Sequence, residues 1–334
     1  MSKLLIYKII TPFVLITVAG IALYLYSSSL LHELSILMVA LLVGIFSAVV
    51  PFACVQRLTG AKWSLSIESM AFRYKMLPFA VMFIIPLLFF EGYYTDLNDG
   101  WRTQSLGFIL NEWIVLITYG VILLIYFWNR ISSQKNLLSA KKATMSLILY
   151  VFTGSLFAYA LAGSGGLTHS GTLFGLYYLL SSYVVFLALI SIIYLLSNHN
   201  PVRIYELMKL LFAANALWAY FFLMQYIIIS YARIPSEVIF YHSRSYHVLS
   251  AVIILHFVVP FPLLLSRAAK ENRSIALTAS TLILIGGILE FIWLWAPVSS
   301  LSVAFLAALL MLLVIIGYAF TFQFRNRKQN NPHF

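Results

Sequence analysis

The chain has 334 residues, 62% of them hydrophobic and 9% charged, with a mean hydropathy of +0.95. A soluble domain carries about 25% charged residues, so the composition excludes a water-soluble globular fold and indicates an all-α polytopic membrane protein. The net charge of +11 is no nucleic-acid footprint, because the basic residues are scattered over short segments beside the ends of apolar runs.

Ten predicted transmembrane helices follow in chain order: 9–28, 34–55, 76–93, 106–128, 144–163, 174–196, 207–231, 246–266, 274–295 and 301–324. Each is long enough to cross about 30 Å of hydrocarbon at about 1.5 Å per residue, some with tilt. The third carries Pro78 and Pro86 and the eighth Pro260 and Pro262, which predicts kinks, since proline removes a backbone donor. No internal repeat is evident, and residues 1–334 read as a single integral membrane domain.

Charge orients the helices. With the N-terminus in the cytoplasm, only Arg102, Arg233 and Arg244 of the 21 basic residues fall on the outer face. The positive-inside rule then predicts an N-in/C-in topology, and phospholipid headgroups explain the basic loops. The outer loops carry Glu33, Glu91, Asp96, Asp99 and Glu237. Cys54 is the single cysteine, which excludes an intrachain disulfide and a cysteine-ligated cluster. The first span is long and has no small-residue cleavage site, so it is expected to be retained.

Two loops stand out. In KWSLSIESMAFRYKM (62–76), Trp63, Ile67, Met70, Ala71 and Tyr74 share one helical face, while Lys62, Glu68, Arg73 and Lys75 fall mostly elsewhere. That pattern predicts an interfacial helix on the inner leaflet, or a docking surface for a neighbouring subunit. AGSGGLTHSGT (162–172) is glycine-rich but has no lysine and no preceding strand, so it reads as an outer turn and not as a phosphate-binding loop.

The polar residues inside the spans carry the candidate chemistry, because an ionisable group there costs a few kcal/mol and is functional by default. Glu112 in span four and Glu290 in span nine each lie about six residues, or about 9 Å, below the outer end. Gln225 in span seven falls at a comparable level, His256 in span eight near mid-membrane, and Asn215 in the inner third of span seven. Together they suggest a broken polar track, a candidate proton path. The competing reading is that each is buried by a hydrogen bond to a neighbouring helix. With His256 the one deep histidine, bis-histidine haem ligation is not expected; no metal site and no cofactor site are predicted in this chain.

Several runs resemble a known family. YELMKLLFAANALWAYFFLMQYIIISYARIPSEVIFYHSR (205–244), HFVVPFPLLLSRAAKENR (256–273), GILEFIWLWAP (287–297), RLTGAKW (57–63) and LPFAVMFIIPLLF (77–89) resemble the ActF-type membrane subunit of bacterial alternative complex III. That subunit belongs to the NrfD/PsrC-like superfamily, and the resemblance covers roughly 40–300. It implies ten helices, two four-helix bundles plus peripheral helices, and a place in the bacterial inner membrane. The implied function is that of a scaffold, with a proton pathway, in a complex that oxidises quinol. The redox groups are implied to lie elsewhere: quinone or quinol in the complex, haem c and iron–sulfur clusters in partner subunits. Those partners are a related NrfD-like membrane subunit, outer-face iron–sulfur and c-type haem subunits and a terminal oxidase, in contact with membrane lipids; no nucleic acid is implied. One departure stands out. FAYALAGSGGLTHSGTLFGLYY (157–178) keeps GTLFG but lacks the aspartate and tryptophans that the family carries there. Two alternatives compete: the quinone-binding anchor of a polysulfide-reductase-like molybdoenzyme, and a stand-alone secondary transporter.

Overall fold

The computed structural model describes residues 28–72, 112–134, 139–164, 173–197, 201–233, 238 and 244–295. Among these residues the chain is helical throughout, with no strand. Seven helices are long and apolar enough to cross a membrane. They match seven of the ten predicted spans; spans 76–93 and 301–324, and all of 9–28 but Ser28, lie outside the described residues. So does the turn 165–172 with His169, and the expected division into two four-helix bundles involves spans that are not described.

Helices α1 (Ser28–Ser47) and α2 (Val49–Leu58) form a nearly continuous span, Leu34–Leu58, that is almost wholly buried. The segment is apolar on all sides, which suits the centre of a bundle. It ends where Gly60 adopts a positive φ of 68°. Ala61 N–H then bonds Gln56 C=O at 2.9 Å and Gly60 N–H bonds Arg57 C=O at 3.3 Å, closing the helix with a left-handed glycine cap. Around this span pack α4 (Glu112–Gln134), α5 (Ala140–Ser164) and α6 (Phe174–Ser197). On the other side α6 packs against α7 (Pro201–Ala232) and α11 (Arg273–Trp295). Helix α6 is thus the shared wall of the two groups.

Between α7 and α11 the eighth predicted span is broken into pieces. Helix α8 (Tyr246–Val252) runs into a π-helical turn, Ile253–Val258, then into short α9 (Pro260–Leu263) and α10 (Arg267–Glu271). Pro260 and Pro262, from which a kink was predicted, follow closely on this π turn. A π turn opens an α-helix by widening its hydrogen-bond ring and occurs frequently at functional sites.

Two sequence expectations gain detail. Span four was placed at 106–128, but α4 continues to Gln134. Its later polar residues are satisfied inside the bundle: Asn129 is buried, donates to Ile125 C=O at 2.8 Å and accepts from Cys54 Sγ at 3.5 Å. The amphipathic segment after span two is a 3₁₀ turn, Lys62–Ser64, followed by α3 (Leu65–Ala71). Ile67 and Ala71 are buried as expected, but Glu68 is buried too, at 2% exposure. It accepts a hydrogen bond from Ser133 Oγ, which ties α3 to the end of α4.

Burial pushes the Glu68 carboxyl above its ordinary value of 4.5, with the Ser133 hydrogen bond and the Arg57 guanidinium pulling the other way. A carboxyl raised in the folded state favours folding below its unfolded pKa. That contribution is lost as pH rises through the folded pKa. Glu68→Gln keeps an acceptor for Ser133 but does not titrate. We expect the wild type to lose melting temperature relative to Glu68→Gln as pH rises above about 4.5, in detergent melts from acid to neutral pH. Parallel pH profiles would show that Glu68 carries no such linkage.

Candidate functional site

Glu290 lies on α11 one turn beyond Gly286–Gly287, where the backbones of α11 and the π turn come closest. A Cβ on Gly286 would stand 2.6 Å from His256 N, 2.7 Å from its Cα and 2.8 Å from its Cβ. A Cβ on Gly287 would run into Val185 Cγ2 and stand 3.5 Å from His256 Cε1. Small residues at helix crossings let membrane helices approach in this way. Side chains on a helix tilt toward its N-terminus, so the Glu290 carboxylate reaches back to the level of the glycines, where His256 sits.

The carboxylate is held from both ends. Three donors converge on Oε1: Tyr177 OH, Ser181 Oγ at 2.7 Å and Trp218 Nε1 at 2.9 Å. Tyr177 and Ser181 are one turn apart on α6, and Trp218 comes from α7. The Trp218 N–H is shared, with Ser181 Oγ accepting at 3.1 Å. Multiple donors on one oxygen are the arrangement that supports a carboxylate. The second oxygen, Oε2, lies 3.2 Å from His256 Nδ1, an ion pair whenever the imidazole is protonated. The two atoms are close but not aligned as a hydrogen bond, and His256 Nε2 has no hydrogen-bond partner. Glu290 is 1% exposed and His256 is fully buried.

The imidazole is fixed by stacking and by its backbone. Trp218 stacks on His256 with ring centroids 3.9 Å apart and planes 19° apart, and Phe222 stacks on the Trp218 indole in turn. In an unbroken α-helix the His256 carbonyl would accept from residue 260, but Pro260 has no N–H. Asn215 Nδ2 donates to that carbonyl at 2.9 Å instead. Trp218 therefore has two roles, as a donor to Glu290 through its edge and as a platform for His256 through its face.

Three of the five sequence candidates meet here: Glu290, His256 and Asn215. The sequence arithmetic placed them at three depths; the site brings Glu290 Oε2 to His256 Nδ1 and ties Asn215 to His256. Gln225 is buried on the face of α7 that carries Asn215, Trp218 and Phe222, about 10 Å beyond Trp218, with its Oε1 unpartnered. The described part of α4 starts at Glu112, whose side chain lies outside the described residues. Tyr177, Ser181 and Trp218 were not singled out from the sequence. Tyrosine, serine and tryptophan are common in membrane helices, and nothing in their spacing on α6 and α7 points at a residue on α11. Among the described residues no group of three His, Cys, Asp or Glu side chains could hold a metal ion.

Gly286→Ala places a methyl against backbone atoms that cannot turn away. We expect a loss of about 1–3 kcal/mol, seen as a lower melting temperature in detergent. A Cβ on Gly120 in α4 meets nothing within 4 Å, so Gly120→Ala should be neutral or stabilising by up to about 1 kcal/mol. Equal melting temperatures for Gly286→Ala and the wild type would remove the close approach as a constraint.

Comparison with protein-family models gave no match, and comparison with curated proteins gave none either, so the chemistry of the site is argued from its own geometry.

Proposed function

We propose that the chain is an integral membrane subunit of a respiratory quinol oxidoreductase of the alternative-complex-III kind, acting as a scaffold and as a carrier of protons at Glu290. The observation that supports this reading is the fully buried Glu290–His256 pair. Placing a charge at the centre of a membrane helix costs about 2.5–3.5 kcal/mol. Here a carboxylate, an imidazole and four further polar groups from α6, α7 and the π turn are gathered at one point.

The geometry lends itself to proton exchange. Oε1 is immobilised by three donors, so the carboxylate keeps Oε2 beside the imidazole. A small rotation aligns Oε2 with Nδ1, and a proton can then pass between them. Histidine can take up a proton on one ring nitrogen and release another from the second, and Nε2 is the free nitrogen here. Oxidation of a quinol yields a quinone, two electrons and two protons. In this reading the electrons leave through iron–sulfur and haem c groups of partner subunits, and the Glu290–His256 pair handles protons. The charge distribution of the loops supports a cytoplasmic position for both termini. The chain's resemblance to ActF-type subunits supports the assignment to the bacterial inner membrane beside a related NrfD-like subunit.

Two experiments test this. Affinity purification of the tagged protein in mild detergent should bring down c-type haem and iron–sulfur subunits with quinol oxidation activity; a lone, colourless protein would overturn the assignment. In the intact complex, Glu290→Gln keeps the shape of the site and removes the exchangeable acid. We expect quinol oxidation to fall at least tenfold, about 1.4 kcal/mol in the barrier, with assembly unchanged. Normal turnover in an assembled complex would leave Glu290 a packing residue.

A further inference from the structure

The first two turns of α5 form a feature that takes no part in the Glu290 site. Lys141, Thr144, Met145, Ile148 and Leu149 line one open groove. These positions recur every three or four residues, so they form a single stripe along the helix. The stripe continues through Phe152 and Leu156, and its apolar members are exposed. It runs about 22 Å along the axis from Lys141 to Leu156, enough to cover one leaflet of a bilayer whose core is about 30 Å thick.

The charged end of the groove has its own chemistry. Lys141 and Lys142 are both exposed at the start of the span Ala140–Ala162. Neither pairs with a carboxylate among the described residues. Lys142 Nζ lies 5.9 Å from the centroid of the Trp128 ring, and Trp128, on neighbouring α4, is 56% exposed. Tryptophan and lysine at a helix end mark the level of the headgroups. The surface therefore offers two unneutralised ammonium groups and an indole at headgroup level, above a shallow apolar strip of α5 running toward mid-membrane.

We propose that this groove is a binding site for an anionic glycerophospholipid. Its phosphate sits between Lys141 and Lys142, and one acyl chain lies along Met145, Ile148, Leu149 and Phe152. Charge complementarity favours this occupant: two ammonium groups with no carboxylate opposite them among the described residues suit a headgroup of net negative charge better than a zwitterionic one, whose own ammonium offsets its phosphate. The site needs only that α5 crosses the bilayer, and it does not depend on quinol chemistry.

The test uses the full chain in nanodiscs of phosphatidylethanolamine with a minor share of phosphatidylglycerol, with retained lipid read by native mass spectrometry after release into detergent. The wild type should retain phosphatidylglycerol in preference to phosphatidylethanolamine. With each lysine near an anionic surface contributing about 1 kcal/mol, Lys141→Gln with Lys142→Gln should lower the retained phosphatidylglycerol roughly thirty-fold. The double Lys→Arg variant should keep it. Lys209→Gln, which removes a lysine already paired with Glu206 at 2.8 Å, should change nothing. An unchanged melting temperature of the double Gln variant in detergent separates lost binding from lost folding. Equal retention of the two lipids, or equal retention by wild type and double Gln variant, overturns the proposal.

Discussion

The close approach of α11 to the π turn at Gly286–Gly287 is the constraint on which the rest depends. Were Gly286 larger, the two backbones would separate and Glu290 would lose the imidazole, while a side chain at Gly287 would run into Val185 of α6. The glycines alone would leave a polar defect in an apolar interior. The defect is filled because α6 contributes Tyr177 and Ser181 and α7 contributes Trp218 to the same carboxylate oxygen. Four segments of the chain thus meet at one side chain. Helix α6 is fixed on its other face by α1, where Tyr178 OH donates to Ala40 C=O at 2.8 Å. The polar site is therefore connected mechanically to the most deeply buried helix described.

Trp218 and Asn215 show how one face of α7 organises chemistry without taking part in it as an acid or base. They are three residues apart and so neighbours on the helix surface. Asn215 takes over the carbonyl that Pro260 leaves unbonded, and Trp218 holds the ring attached to the same residue. Together they restrain both the backbone and the side chain of His256. A buried polar network is costly when half satisfied and specifying when complete. Here the incompleteness is confined to both ring nitrogens of His256, Glu290 Oε2 and the amide oxygen of Asn215.

Much of the fold was legible in the sequence because lipid imposes a simple rule: long apolar runs become helices, and seven of the predicted spans match. Composition could not reveal inter-helix registration. Glu290 and His256 appeared to lie at different depths because depth was counted along straight helices from their ends. The π turn and the backward tilt of the Glu290 side chain both break that count. Glu68 was misread for a related reason. Its position off the apolar face of α3 gave no partner for it, but Ser133 of α4 donates a hydrogen bond to the carboxyl. The site residues missed, Tyr177, Ser181 and Trp218, belong to types whose role is set by what lies across the interface. The proline signal, by contrast, was local: it marked the helix that carries the π turn, but not the turn itself.

The widened turn also changes how the helix that carries it presents its two ends. Val259 N–H bonds Ile254 C=O, five residues back where an α-helix would use four. Such a turn absorbs an additional residue, and each residue advances an α-helix by about 100°. The stretch Tyr246–Val252 and the stretch Pro260–Leu263 therefore do not share one continuous set of faces. His256 can point into the interior toward Glu290 while Phe257 and Phe261 turn toward each other, and Phe261 stacks on Phe212 of α7 at 5.0 Å. One segment consequently serves two different neighbours, and shortening it by a single residue would rotate one half of its contacts out of phase with the other.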